Sequence, residues 1–225
     1  MISAQEMITA REFHETAGTE DWRVLSDGAH AFFRTDSFAA SARLVGEIGK
    51  LAGVDDHPPA VDIRVGGVSV RLITVTDSLY GMSRRDVTLA GEISAVARNQ
   101  GAESDASVLQ SFLVVPGAPR ASEVMPFWRA VLGYEPRGDS PDEDLVDPHD
   151  RGPAFWFEGM DQPRGDEGGA IHIAVWLPYE QAEARVAAAL AAGGRMVRDE
   201  FAPAWWTLAD AAGNEADIAT VKHRD

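Results

Sequence analysis

The chain has 225 residues with 20 Lys plus Arg against 36 Asp plus Glu, a formal charge of −16 and 45% hydrophobic residues, a globular composition long enough for one large domain or two small ones. With no Cys it forms no disulfide scaffold, thiolate metal site or cysteine nucleophile. Acidic charge without a basic cluster repels phosphate backbones and anionic lipid, and no run reaches the roughly 20 apolar residues of a membrane span, so a small-molecule partner is expected rather than nucleic acid or membrane.

The N-terminal stretch carries Glu6, Arg11, Glu12, Glu15, Glu20, Asp21 and Arg23 and lacks the apolar core of a secretion signal, which predicts a cytoplasmic location. The only lysines, Lys50 and Lys222, read as surface residues, leaving few candidates for Schiff-base chemistry. A helix is expected over 3–16, then short strands at Trp22–Leu25 and Ala29–Arg34 around a Ser26-Asp27-Gly28 turn. Asp36-Ser37 can cap a helix whose Leu44, Ile48 and Leu51 share one face and which ends at Gly53. Val61–Val65 and Val68–Leu72 alternate apolar and polar residues about Gly66-Gly67, the pattern of a hairpin. Ser83-Arg-Arg-Asp86 has capping-box spacing, and Leu89, Ile93 and Val96 form the apolar stripe of a helix stopped by Gly101. The first half thus reads α-β-β-α-β-β-α.

Asn99–Ser107 is small and polar, which predicts a boundary: a first domain over 1–102, an exposed linker over 103–107 and a second domain over 108–225. The second half opens with a strand at Val108–Val115 and a helix running through Phe127-Trp128 to Leu132-Gly133. Short strands near Asp144–Val146 and Ala154–Glu158 and an acidic, Gly-rich loop over 161–169 follow. The pattern then repeats, with a strand at Ile171–Leu177, an Ala-rich helix at Tyr179–Ala192, and strands near Met196–Phe201, Trp205–Leu208 and Ala216–Thr220. Two βαβββ modules after an α/β half make the expected fold class α+β.

The densest polar cluster of the first half is Gly53-Val-Asp55-Asp56-His57-Pro58-Pro59, between a helix and a strand. Histidine is the residue type that exchanges protons nearest neutrality, so His57 can serve as general acid or base; the alternative is a solvated turn whose backbone Pro58 sets. Asp56-His57-Pro58, the alternating Val68–Leu72 strand and Gly81-Met-Ser-Arg-Arg-Asp86 before a helix resemble the pterin-4a-carbinolamine dehydratase family from about Trp22 to Ala97. In that family a His-His-Pro turn, a strand ending in Thr-His and a Gly-(Leu/Val)-(Ser/Thr)-Glu-Arg-Asp helix start occur in this order.

The resemblance implies dehydration of a 4a-hydroxytetrahydropterin to the quinonoid dihydropterin by acid/base catalysis, without metal or organic cofactor. It implies His57, Asp56 and Asp77 as the catalytic set and Pro58 and Asp86 as substrate contacts, with Asp56 standing for the first family His and Asp77 for the strand-end His. The spacing of Asp86 also suits a helix start. The rival reading is a dehydratase fold without its chemistry, serving oligomerisation as a homodimer or larger assembly.

Phe127-Trp-Arg-Ala-Val-Leu-Gly133, Ile171-His-Ile-Ala-Val and Asp210-Ala-Ala-Gly-Asn-Glu215 resemble the glyoxalase/bleomycin-resistance, or vicinal-oxygen-chelate, family over about Val108 to Val221. This implies a cup that binds or transforms a small molecule. Family ligand positions fall at Gln110, Glu158, His172 and Asp217, either a divalent-metal set or polar residues lining a metal-free cup. Trp156, Trp176, Trp205 and Trp206 are candidates for core, cup wall or stacking on a planar ligand.

Overall fold

The structure is a computed structural model, and it describes residues 7–76, 79–160, 171–209 and 215–224. The chain divides into two compact units, one built on residues 7–75 and 79–109 and the other on residues 110–224.

In the first unit the elements are β1 (Met7–Ile8), α1 (Ala10–Glu15), β2 (Arg23–Leu25), β3 (Gly28–Arg34), α2 (Phe38–Ile48), β4 (Ala60–Arg64), β5 (Gly67–Leu72), β6 (Thr74–Thr76), β7 (Leu79–Ser83), α3 (Arg84–Asn99) and β8 (Glu103–Ser104). The sheet runs β2-β3-β5-β4 with β8 also on β3, and β1-β7-β6 form a second, small sheet. Strand alternation separates its faces: Ala29, Ala31, Phe33, Val68, Val70 and Leu72 are buried, as are Leu44 and Ile48 of α2 and Leu89 and Ile93 of α3. Fully buried Trp22 donates its Nε1 hydrogen to Ser94 Oγ at 3.0 Å and also lies 3.2 Å from Ala90 O, satisfying its polar edge on α3.

Helix starts follow side-chain chemistry. Ser37 Oγ accepts the Ala40 N–H at 3.1 Å, and Ser83 with Asp86 forms the expected capping box. Elsewhere the structure departs from the sequence expectations. The first helix is only Ala10–Glu15, started by a Thr9–Glu12 capping box, and α2 stops at Gly49 rather than Gly53. The 103–107 linker is corrected: Glu103 and Ser104 pair with Arg34 and Phe33, Asp105 pairs with Arg34, and Ser104 Oγ donates to Asp21 at 2.6 Å. Short polar residues have no apolar pattern to betray a strand, yet they satisfy a sheet edge through backbone bonds and ion pairs.

The second unit contains β9 (Ser111–Ala118), α4 (Ala121–Leu132), β10 (Glu135–Arg137), β11 (Ser140–Val146), β12 (Phe155–Trp156), β13 (Glu158–Gly159), β14 (Ile171–Trp176), α5 (Tyr179–Ala191), β15 (Arg195–Arg198), β16 (Trp205–Ala209) and β17 (Glu215–Ala219). Its sheet runs β10-β11-β12-β9-β14-β17-β16-β15, with β13 also on β9. The two βαβββ modules meet where β9 pairs antiparallel with β14, Val115 opposite His172 and Ser111 opposite Trp176.

Both helices lie on one face of this sheet. Val114 packs with Met125, Val124 and Trp128 of α4, while Val175 packs with Ala182 and Val186 of α5, and the register puts Val114 beside Ile173 and Val175 beside Phe112. His172, Ala174 and Trp176 therefore point to the opposite face, as do Asp217 and Thr207, which are cross-strand partners.

Candidate active site

In the first unit a short loop and the start of α3 are brought together. The backbone N–H groups of Asp56 and His57 both donate to Gly53 O at 3.1 Å, folding the residues after α2 into a turn that turns His57 inward while Asp56 and Pro58 stay exposed. His57 Nε2 lies 2.7 Å from Asp86 Oδ1. Asp86 is fully buried, and its other oxygen accepts from Thr74 Oγ1 at 2.7 Å, from the Ser83 N–H at 2.7 Å and from Ser83 Oγ at 3.0 Å.

Burial alone would raise the Asp86 carboxyl; the bonds from His57, Thr74 and Ser83 outweigh it and hold the group below the ordinary carboxylate range. Asp86 is thus an ionised acceptor. A carboxylate on Nε2 fixes that nitrogen as the N–H of the neutral ring and leaves Nδ1 as the lone-pair nitrogen, a base that becomes a donor once the ring is protonated.

The residues singled out from sequence separate accordingly. His57 and Asp86 are brought together, but Asp86, expected as a substrate contact, is fully buried and meets the ring and the helix start instead. Asp56 lies at the exposed turn, and Asp77 falls outside the described residues. Thr74 and Ser83 were not foreseen as part of the site; the Ser83–Asp86 capping spacing was the legible trace, but nothing in it points to His57.

The four positions proposed as metal ligands in the second unit do not converge. His172 Nε2 stands 3.3 Å from Asp217 Oδ2, and Asp217 Oδ1 accepts from Thr207 Oγ1 at 2.7 Å. Gln110 is exposed just before β9, with Arg185 Nη1 at 3.4 Å from its Oε1, and lies five residues before Val115, the partner of His172. At about 3.4 Å per residue that is too far to share an ion. Glu158 pairs with Gly117 on the other side of β9. Among the described residues no group of three or more His, Asp or Glu is arranged to hold a metal ion, so this donor set does not fit one. Of the four tryptophans, Trp206 is core against α5, Trp156 is exposed, and Trp176 and Trp205 face the His172 side of the sheet.

A sheet with a buried helix-bearing face and a histidine–carboxylate pair, joined in one chain to a doubled βαβββ sheet, defines a two-domain α+β protein. Residues 5–96 match the family model Pterin 4 alpha carbinolamine dehydratase and residues 113–219 match Glyoxalase-like domain; the chain is a fusion of these two families. The chain has no match among curated proteins. Among solved structures it is similar to an NAD-dependent benzaldehyde dehydrogenase from Legionella pneumophila, with 13% identity, TM-score 0.37, and coverage of 49% of this chain and 99% of that one. It is also similar to a glyoxalase/bleomycin resistance protein/dioxygenase superfamily member from Vibrio splendidus 12B01, with 16% identity, TM-score 0.33, and coverage of 50% and 99%. Among the described residues no helix is long and apolar enough to cross a membrane.

Proposed function

We propose that the first domain dehydrates a 4a-hydroxytetrahydropterin to the quinonoid dihydropterin, a hydro-lyase reaction, with His57 as the proton carrier. The observation that carries this reading is the 2.7 Å contact between His57 Nε2 and the fully buried Asp86, because it commits one ring nitrogen and frees the other for a ligand. In the reaction a proton reaches the 4a-hydroxyl oxygen, the C4a–O bond breaks, water leaves, and a ring N–H of the pterin gives up its proton. Nδ1 of protonated His57 supplies the first proton, and its lone pair, once vacated, accepts the second, so the ring returns to its starting state. Asp86 stays bonded to Nε2, so Nδ1 is the nitrogen that exchanges both protons. Asp56, at the exposed end of the same turn, is the proposed assisting base. Asp77 stays a proposed third member.

The second domain is proposed to bind a small molecule on the face that carries His172, and the fusion is proposed to act as a homo-oligomer. Stopped-flow dehydration of a 4a-hydroxytetrahydropterin by the full chain tests the catalytic reading. Turnover lost in His57→Ala by roughly 10²–10⁴-fold supports it. A parent protein no faster than the uncatalysed reaction overturns it and leaves a dehydratase fold used for assembly.

A further inference from the structure

The face of the second domain that carries His172 has a row of residues fixed by register. Trp176 pairs with Ala219, and Ala219 pairs with Trp205, so two indoles flank one small side chain on three adjacent strands. Over that gap lies a guanidinium from the segment after β17: the Arg224 carbon is 4.5 Å from the Trp176 ring centre and 5.1 Å from that of Trp205. Phe201 backs Trp205, their rings stacked at 4.2 Å. Asp217 is one row further along the same face, and Lys222 Nζ sits 3.5 Å from the Tyr179 ring centre. Two indole faces, a small floor and a nearby carboxylate are the parts of an organic-cation cage, since aromatic faces attract cations most where water is excluded.

The guanidinium is shielded enough that burial lowers its pKa, against the opposing pull of Asp217. Its Nε donates to Thr220 O at 3.0 Å, and among the described residues no carboxylate lies in ion-pair range of it. An anionic ligand would have to sit beside Asp217 in a chain of charge −16, so the chemistry favours a cation.

We propose that Trp176, Trp205 and Asp217 form a binding site for a small organic cation, an alkylammonium or guanidinium compound, which the chain's own Arg224 occupies in the described state. The site is independent of the dehydratase reading. Tethering places Arg224 at a high effective concentration, so a free cation of modest affinity competes poorly until Arg224 is removed or drawn out.

The test is a titration of the full chain with tetramethylammonium, read from the indole N–H NMR signals of Trp176 and Trp205. Arg224→Ala is expected to bind at least roughly tenfold more tightly than the parent and to shift both signals, and Trp205→Ala added to it to abolish the response. The uncharged isostere 3,3-dimethylbutanol is expected to bind roughly tenfold more weakly than tetramethylammonium to Arg224→Ala. No shift in Arg224→Ala, or equal binding of the uncharged isostere, overturns the proposal. Arg224→Gln, which keeps the polar chain but removes the cation, gives the same reading where the alanine variant does not fold.

Discussion

Each domain holds a histidine beside an aspartate, and the two pairs are built for different ends. In the first domain Asp86 is fully buried, 2.7 Å from the ring, and gathers a hydroxyl from Thr74 and the N–H and hydroxyl of Ser83 on its second oxygen. In the second domain Asp217 keeps 17% of its side chain exposed, stands 3.3 Å from His172 and accepts one hydroxyl from Thr207. The difference lies in the donors. A carboxylate with several fixed donors is held ionised and aimed at one ring, whereas one with a single hydroxyl partner remains available to other charges on its face.

The comparison breaks first on activity. Dehydration kinetics should show His57→Ala reduced by roughly 10²–10⁴-fold, with His172→Ala at the parent rate; equal losses would overturn the assignment of proton transfer to the His57 pair alone. On stability, Asp86→Ala removes a helix cap and orphans a buried hydroxyl and N–H, at a cost of about 2–4 kcal/mol read from urea unfolding. Asp217→Ala, at a partly exposed position, should cost less than about 1 kcal/mol in the same measurement.

A second buried aspartate, Asp144, sharpens the comparison through pH. The pKa of Asp86 is lowered on folding, so its contribution is full above the ordinary carboxylate pKa of about 3.9 and is lost as pH falls through its lower folded value. Hydrogen exchange in α3 should accelerate below about pH 4 in the parent, and Asp86→Asn should flatten that dependence. Asp144 has the opposite sign. It is 5% exposed, and burial raises its carboxyl despite the Ser140 hydroxyl and the Arg137 guanidinium 3.1 Å away. Its charge therefore opposes folding above about pH 4, and Asp144→Asn should slow exchange in β11 at neutral pH by up to about 1 kcal/mol, the gain shrinking as the solution is acidified.

Much of the fold was legible because local chemistry and burial agree. Ser83-x-x-Asp86 announced α3, alternation about Gly66-Gly67 announced β4 and β5, and the repeated strand–helix–strand pattern announced both modules of the second domain. The strands β6, β7 and β8 were not legible, since their short runs lack a clear period of two, and β7 and β8 are held by pairing to β1 and β3, distant in sequence.

His57 could be chosen from its turn and from the family resemblance, because a histidine between a helix end and Pro58 stands out in one line of sequence. Its partner could not. Asp86 sits 29 residues away and looks complete as a helix cap, and only the folded chain shows that its second oxygen serves the cap while its first reaches the ring. The metal set failed for the converse reason. The expected first strand includes Gln110, but β9 begins at Ser111, and register pairs His172 with Val115, five residues further on; register is set by the pairing of whole strands rather than by any residue within them. The cage around Arg224 is likewise tertiary: Trp176, Trp205 and Arg224 come from three separate segments, and it is the shared pairing to Ala219 that puts the two indoles on either side of one guanidinium.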